Sequence, residues 1–180
     1  MRKLSMEELG RMSLDAFKEK KKSPIVLVLD NVRSMHNVGS AFRSSDAFLI
    51  ERIWLCGITA CPPHREIEKT ALGATASVAW SYASETSAAI RQLKDEGYII
   101  CAFEQADKSE KLHQFQPSEG KKYALVFGNE VFGVEEPVVA AADHVIELPQ
   151  LGTKHSFNIS VTIGMALWDF AVKLKLFDGK

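Results

Sequence analysis

The stretch LPQLGTKHSFNISVTIGMALWDF, residues 148–170, joins the end of an apolar strand to a polar loop and a strongly apolar helix. The loop contains Gly, Thr, Lys, His and Ser, and both of its ends are attached to segments that belong in a core. Loops held by a rigid scaffold commonly carry binding and catalytic residues. We therefore predict that this stretch contributes to a functional site.

Runs of apolar residues alternate with polar loops and helical patterns through the rest of the chain. The predicted strands are IVLVLD (25–30), RIWLCGI (52–58), SVAWSYA (77–83), YIICAF (98–103), YALVFG (123–128) and HVIELP (144–149). The predicted helices cover residues 38–48, 85–96, 136–142 and 158–174. Near-continuous apolar strands that alternate with helices predict an α/β fold with a mostly parallel sheet flanked by helices. Ligands of such sheets bind beyond the carboxyl ends of the strands.

A helix is also predicted at the N-terminus, over residues 4–22. Ser5 and Glu8 fit a capping box, and Pro24 ends the helical pattern. The helix would end in the basic run KEKKK, which is either a solvated helix end or a phosphate contact. We expect residues 1–22 to form a helical extension and residues 23–180 to form a single domain.

The composition is that of a soluble globular protein. The chain has 180 residues, of which 46% are hydrophobic and 25% charged, and its net charge is −1. Nucleic-acid binding would therefore need a local basic patch or a second subunit, because no overall positive field exists. The N-terminus lacks the apolar core of a signal peptide, and no apolar run could cross a bilayer, so we expect a cytoplasmic protein with no membrane partner.

Common catalytic and metal-binding motifs are absent. The sequence has no Walker A motif, no strand-linked GxGxxG, no GxSxG and no HExxH. Its three cysteines form no CxxC pair, and its five histidines show no metal-ligand spacing. We therefore expect no metal.

Three polar loops that follow strands remain as candidate sites. They contain HNVGSAFR (36–43), GNEVFG (128–133) and SFN (156–158). Each has a structural explanation when taken alone: Asn37 could cap the helix that follows it, and Ser156 or Asn158 could cap the last helix. Two glycines in the second loop would permit a sharp turn or a close approach to a ligand.

Taken in order, the patterns NxGxxxR, GNE and LPxxG…SFNIS resemble the three motifs of the SpoU/TrmH family, the RNA ribose 2′-O-methyltransferases of the SPOUT superfamily. The resemblance covers residues 24–174 and includes VLDNVRSMHNVGSAFRSSDAF and EKTALGATASVAW. It implies a C-terminal deep trefoil knot, S-adenosylmethionine as cofactor and a homodimer through the knot region. By resemblance, the cofactor would contact Gly128, Leu148, Phe157 and either Glu104 or Gln105.

The resemblance also implies the catalytic residues, which are Arg43, Asn37, Glu130, Ser156 and Asn158. An Arg side chain is an unlikely base because its pKa is above ~12. We therefore expect Arg43 to grip an RNA phosphate, and Glu130 to fix either Arg43 or an amide. A local basic groove across two subunits could bind the RNA, with the following candidates: Arg33, Arg43, Arg65, Lys69 and Lys154.

Two positions depart from the usual third motif, since Phe157 and Ile159 replace Leu and Val. Both replacements are apolar, so adenine packing should survive. The lead-in loop favours tRNA over rRNA as the substrate. Two alternatives remain: an RNA-binding or assembly protein that has lost turnover, which the five retained catalytic residue types argue against, and a nucleotide-binding enzyme of unrelated chemistry, which would need a glycine-rich phosphate loop.

Overall fold

A seven-stranded sheet runs through the centre of the computed structural model, which describes residues 1–5, 8, 10 and 12–178. Its strand order is β3-β2-β1-β6-β4-β7-β5, and each pair of neighbours is parallel. The strands are β1 (Ser23–Asp30), β2 (Ile50–Cys56), β3 (Trp80–Ala83), β4 (Tyr98–Phe103), β5 (Glu110–Lys111), β6 (Lys122–Phe127) and β7 (His144–Glu147). The prediction of a mostly parallel α/β sheet is confirmed.

Helices cover both faces of the sheet, which is why its central strands consist almost entirely of apolar residues. The helices are α1 (Leu14–Glu19), α2 (Met35–Ala47), α3 (Arg65–Ala71), α4 (Thr86–Asp95), α5 (Glu136–Ala141) and α6 (Ile159–Lys173). In β1, Leu27 and Leu29 belong to the larger core cluster, which includes residues of α2, α3 and α6. Val26 and Val28 belong to a second cluster, which includes residues of α4 and α5.

The N-terminal helix is shorter than the predicted range of 4–22. Ser5 and Glu8 do exchange the two hydrogen bonds of a capping box, from Ser5 N–H to Glu8 Oε2 (2.8 Å) and from Glu8 N–H to Ser5 Oγ (3.3 Å). Among the residues described there, however, helix is present only from Leu14, after the N-cap Ser13. Phe17 is the residue that α1 buries, whereas Leu14 is half exposed.

Strand β5 was not predicted, because it has only two residues and both are exposed. It lies beyond β7 at the edge of the sheet and pairs in parallel with Ile146 and Glu147. None of the helices in the described ranges is long and apolar enough to cross a membrane. The deep trefoil knot and the division of the chain at residue 22 stay predictions.

Candidate functional site

A cavity of about 520 Å³ lies at the carboxyl ends of β4, β6 and β7. Four separate segments line it, within the ranges 103–105, 127–133, 146–150 and 155–162. The lining includes all five residues predicted to bind a cofactor, which are Glu104, Gln105, Gly128, Leu148 and Phe157. Of the predicted catalytic residues it includes Glu130, Ser156 and Asn158, but not Asn37 or Arg43.

The lining combines apolar side chains with polar groups at its edge. The rings of Phe103 and Phe127, both buried, are stacked with their centroids 4.7 Å apart. Leu148 is half-buried and Phe157 is 42% exposed, so both present apolar surface to a ligand. The volume lies within the range of roughly 300–1,000 Å³ that is usual for small-molecule and cofactor sites.

The segment after β6 forms a tight turn, which we call the 128–134 turn. The backbones of Asn129 and Gly133 exchange two hydrogen bonds, of 2.8 and 2.9 Å, and Asn129 Oδ1 accepts the N–H groups of Val131 and Phe132. A Cβ atom on Gly128 would lie 2.1 Å from the backbone of Gly133. Glycine is therefore required at position 128 because two backbone segments touch there.

Glu104 supports this turn from the end of β4. Its Oε2 accepts the N–H of Val134 (2.8 Å), and its Oε1 accepts the N–H of Gln105 (2.8 Å). The side-chain amide of Gln105 donates to the carbonyl oxygen of His155 (2.8 Å). Glu104 thus fixes one wall of the cavity, and Gln105 ties the end of β4 to the polar loop before α6.

Glu130 joins the 128–134 turn to the start of α2. Its Oε2 accepts the N–H of Arg33, and its Oε1 accepts the N–H of Ser34 and the side-chain amide of Asn37, all at 2.9 Å. Partial burial raises the pKa of Glu130, but the hydrogen bonds from Arg33, Asn37 and Ser34 outweigh it, so the pKa is lower than usual.

Helix α2 begins three residues earlier than predicted. Ser34 is its N-cap and accepts the N–H of Asn37, so the interpretation of Asn37 as the cap was wrong. Asn37 lies inside the first turns, where its side chain is buried and free to bond other segments. Besides donating to Glu130, its Oδ1 accepts the side-chain amide of Asn158 (3.3 Å).

Asn158 is the N-cap of α6, which decides between the two caps considered for that helix. Its Oδ1 accepts the N–H of Ser160 (2.9 Å). Glu130, Asn37 and Asn158 therefore form one hydrogen-bonded chain, and each comes from a different one of the three sequence motifs. Ser156 is exposed and lines the cavity beside this chain.

Asp30 and Asn31, directly after β1, were not predicted as site residues. Asp30 is fully buried, and its carboxylate accepts hydrogen bonds from Asn31, Thr86 and the N–H of Glu135. Asn31 adopts a left-handed conformation (φ +55°), and its carbonyl oxygen accepts the side-chain amide of Asn129 (2.8 Å). Asn31 thus holds the 128–134 turn through Asn129, and Asp30 holds Glu135, the residue that follows the turn. The available sequence signal was a polar pair at the end of a buried strand.

The residues predicted to bind RNA all lie on the surface, and they are Arg33, Arg43, Arg65, Lys69 and Lys154. Lys69 is paired with both carboxylate oxygens of Glu66 (2.7 and 2.8 Å). In the part of the chain that the structure describes, the other four side chains make no hydrogen bond or ion pair.

Arg43 lies six residues beyond Asn37 on α2, about 9 Å along the helix axis at 1.5 Å per residue. The structure therefore does not bring Arg43 into the cavity of its own chain. Glu130 fixes the amide of Asn37 rather than Arg43, which selects one of the two partners considered for it. Among the described residues, no group of three His, Cys, Asp or Glu side chains could hold a metal ion.

Comparison with protein families finds a match to the SpoU rRNA Methylase family over residues 24–168. One curated relative, the 23S rRNA (guanosine-2′-O-)-methyltransferase RlmB of Neisseria meningitidis, is 27% identical over 153 residues, which are 85% of this chain and 60% of the relative. RlmB of Vibrio vulnificus is 28% identical over 94% of this chain and 67% of its own length. The chain thus spans about 60–67% of the length of these two relatives.

Solved structures show the same fold. The AdoMet-bound rRNA methyltransferase from Sinorhizobium meliloti is 25% identical, with a TM-score of 0.79 over 86% of this chain and 58% of that chain. The A. aeolicus TrmH/SpoU tRNA modifying enzyme is 23% identical, with a TM-score of 0.80 over 92% of this chain and 84% of that chain.

Proposed function

The chain belongs to the SpoU rRNA methylase family, and on that basis we propose that it transfers a methyl group from S-adenosylmethionine to a ribose 2′-hydroxyl of RNA. One observation carries the proposal. The five residues expected to contact the cofactor come from distant parts of the sequence, and together they line a single cavity of about 520 Å³ at the carboxyl edge of the sheet.

The cavity has the chemistry that an adenosine-containing ligand needs. The apolar side chains of Leu148 and Phe157 would pack against the adenine ring, and backbone groups near Gly128 would hydrogen-bond its edge. When bound, the cofactor supplies an electrophilic methyl group on a positively charged sulfur. Glu104 and Gln105 would hold the cavity walls in place through their contacts with Val134 and His155.

The protein must orient the 2′-hydroxyl in line with the methyl group and allow its proton to leave. The proton of that hydroxyl would pass to water or to a neighbouring phosphate oxygen. Glu130 is a poor base, because its carboxylate accepts three hydrogen bonds and its pKa is lowered. Its role is to position Asn37 and, through Asn37, Asn158.

Arg43 would act by gripping an RNA phosphate. Its guanidinium group is exposed, and it makes no hydrogen bond or ion pair with any described residue of the chain. A planar guanidinium group can bind two phosphate oxygens through two parallel N–H donors, whereas a Lys ammonium group acts as a point charge without that fixed geometry. If Arg43→Lys keeps full turnover on RNA, this account of Arg43 is wrong.

The protein would work as a homodimer, with the outer face of α6 in the interface. Val161, Trp168 and Val172 lie on one side of this helix at positions i, i+7 and i+11, and they are 49%, 59% and 49% exposed. An apolar stripe of this kind on a helix that already buries its other face is typical of a subunit contact. Trp168→Glu should convert the dimer to a monomer in light scattering after size-exclusion chromatography, whereas Ile58→Glu, an exposed site on the β2–α3 loop, should not.

The proposal also includes the class of RNA that is methylated, which is either tRNA or rRNA. The loop within VLDNVRSMHNVGSAFRSSDAF (28–48) favours tRNA, while the curated relatives described above carry 23S rRNA in their names. Both are therefore tested, by measuring transfer of labelled methyl groups to unfractionated tRNA and to deproteinised ribosomal RNA from cells that lack the protein. A cytoplasmic location stays part of the proposal.

Calorimetry tests the proposal most directly. The protein should bind S-adenosylmethionine and its demethylated product, and Phe157→Asp should abolish binding of both, because it places a charge on an apolar wall of the cavity. Ile58→Asp, at an exposed position outside the cavity, is the matched control. Folded protein that binds neither compound would refute the proposal, and RNA binding without cofactor binding would support the inactive assembly protein instead.

A further inference from the structure

The side chain of Phe132 is 85% exposed and lies among the residues that line the cavity. Of the two exposed phenylalanine side chains in the lining it is the more exposed, the other being Phe157 at 42%. Phe157 is already assigned to the cofactor. Val131 and Phe157, 66% and 42% exposed, line the same cavity, and an exposed apolar patch beside a site commonly marks a surface that contacts a ligand or partner.

Hydrogen bonds hold the backbone that carries this ring in a fixed conformation. Asn129 Oδ1 accepts the N–H of Phe132 (3.2 Å) and of Val131 (2.9 Å), and the hydrogen bonds between Asn129 and Gly133 close the turn on both sides. Glu130 anchors the same turn to α2. The exposed ring therefore stands on a turn that is tied to three other segments, and little ordering of the backbone is needed when a partner binds.

Positive side chains stand on the segments next to the ring. Glu130 lies two residues before Phe132 in the sequence, and its Oε2 accepts the N–H of Arg33 (2.9 Å). The side chain of Arg33 is exposed. Lys154 is exposed on the polar loop whose next residues, His155 and Ser156, line the cavity. Within the described ranges, neither cation has a side-chain partner. Aromatic and basic side chains combined in this way complement single-stranded nucleic acid.

We propose that Phe132 stacks on a nucleobase of the RNA substrate, at the nucleotide whose ribose enters the cavity. This inference rests on the proposed function. The reacting 2′-hydroxyl must reach a methyl group inside the cavity, so the base on the same ribose must lie at the cavity mouth, beside Phe132. A Phe ring has no hydrogen-bonding group, so it strengthens binding of any base and does not select one.

The test compares Phe132→Leu with Phe132→Tyr. Leu keeps an apolar side chain without the aromatic face, whereas Tyr keeps that face. We expect Phe132→Leu to weaken RNA binding and raise the KM for RNA by about 5- to 150-fold, as for loss of one base–aromatic stack. Phe132→Tyr should stay within about threefold of the wild type. The matched control is Tyr82→Leu, which removes an aromatic ring that is 52% exposed on β3, outside the cavity.

RNA binding is measured by filter retention of unfractionated tRNA and of deproteinised ribosomal RNA, and cofactor affinity and oligomeric state are measured on the same variants. The proposal is overturned if Phe132→Leu binds RNA within twofold of the wild type, if Phe132→Tyr is equally weak, if cofactor affinity falls by the same factor, or if the variant dissociates into monomers. If the wild type binds RNA but transfers no methyl group, the proposed function fails. RNA binding by the wild type and by the Phe132 and Tyr82 variants then still decides whether Phe132 stacks on a base.

Discussion

Replacing Glu130 with Gln tests whether this carboxylate holds the site together. In the wild type, Glu130 Oε2 accepts one hydrogen bond, from the N–H of Arg33, and Oε1 accepts two, from Ser34 and Asn37. The amide oxygen of Gln can replace Oε1 and keep two of the three. Its NH₂ group would then face the N–H of Arg33, and two donors would oppose each other.

The expected loss can be estimated from these contacts. A hydrogen bond to a charged group contributes about 1.5–3 kcal/mol, and a negative charge at a helix N-terminus contributes about 0.3–1 kcal/mol. Because Glu130 is only partly removed from solvent, both values are reduced by screening, so we expect the free energy of unfolding to fall by about 1–2 kcal/mol. For a protein of this size, that corresponds to a Tm lower by about 2–8 °C.

The effect should depend on pH in a defined direction. The pKa of Glu130 in the folded protein lies below the ordinary value of 4.5, so its carboxylate stabilises the fold above that value. This contribution is lost as the pH falls through the lowered pKa. The Tm difference between the wild type and Glu130→Gln should therefore be largest near neutral pH and should shrink below about pH 4.

Thermal unfolding followed by circular dichroism at several pH values provides the measurement. Glu19→Gln is the matched control, since Glu19 is exposed at the end of α1 and makes no hydrogen bond or ion pair with the described residues. Calorimetry with the demethylated cofactor should show at most about a 30-fold loss of affinity for Glu130→Gln, which is the equivalent of 2 kcal/mol. An unchanged Tm at neutral pH, or an equal decrease at neutral and acid pH, would contradict the role assigned to Glu130.

Three further experiments test other parts of the structure. Gly39→Ala should lower the free energy of unfolding by about 1–3 kcal/mol, because its Cβ would lie 2.1 Å from Thr70 Oγ1 and 2.2 Å from the carbonyl oxygen of Ile67, and an unchanged Tm in the same melt would contradict this packing. Asn31→Gly should be less stable than the wild type, since three side-chain hydrogen bonds are lost, and Asn31→Ala should be less stable by a further ~1 kcal/mol, because Ala is strained at φ +55°. Equal denaturation midpoints for the two Asn31 variants would contradict this. Arg43→Ala can be co-expressed with a variant that cannot bind the cofactor, so that about half of the dimers are mixed. If Arg43 serves the partner's cavity, each mixed dimer has one complete site of two, and about a quarter of wild-type methyl transfer should be recovered. If Arg43 serves its own cavity, none should be recovered.

The sheet could be predicted from the sequence because burial on both faces leaves a direct signature. Residues such as Val26 and Leu27 point to opposite faces, and both are fully buried, so the run has no polar alternation. The position of the polar loops followed from the parallel order of the strands. Strand β5 left no such signature, because Glu110 and Lys111 are exposed and join the sheet only through the backbone of β7.

The start of α2 could not be predicted from local sequence alone. Ser34 and Asn37 are both good N-cap residues, and they are only three positions apart. Which of the two residues caps α2 depends on Glu130, almost a hundred residues away, which accepts the N–H of Ser34 and the side-chain amide of Asn37. Asn37 therefore does not cap the helix, and its side-chain oxygen accepts a hydrogen bond from the amide of Asn158. Contacts between such distant residues have no periodicity, which is why the resemblance, rather than the pattern of apolar residues, brought these three together.

The same contacts explain why a carboxylate stands at this point of the site. The first turns of α2 and α6 are joined by the hydrogen bond between Asn37 and Asn158, so two helix N-termini meet at the edge of one cavity. Each N-terminus carries roughly half a positive charge, and their close approach is unfavourable unless an anion lies nearby. Glu130 supplies that anion and accepts the backbone N–H groups at the start of α2. A residue with this task must remain ionised, so the lowered pKa suits positioning and makes Glu130 unsuited to accept the proton of the substrate hydroxyl.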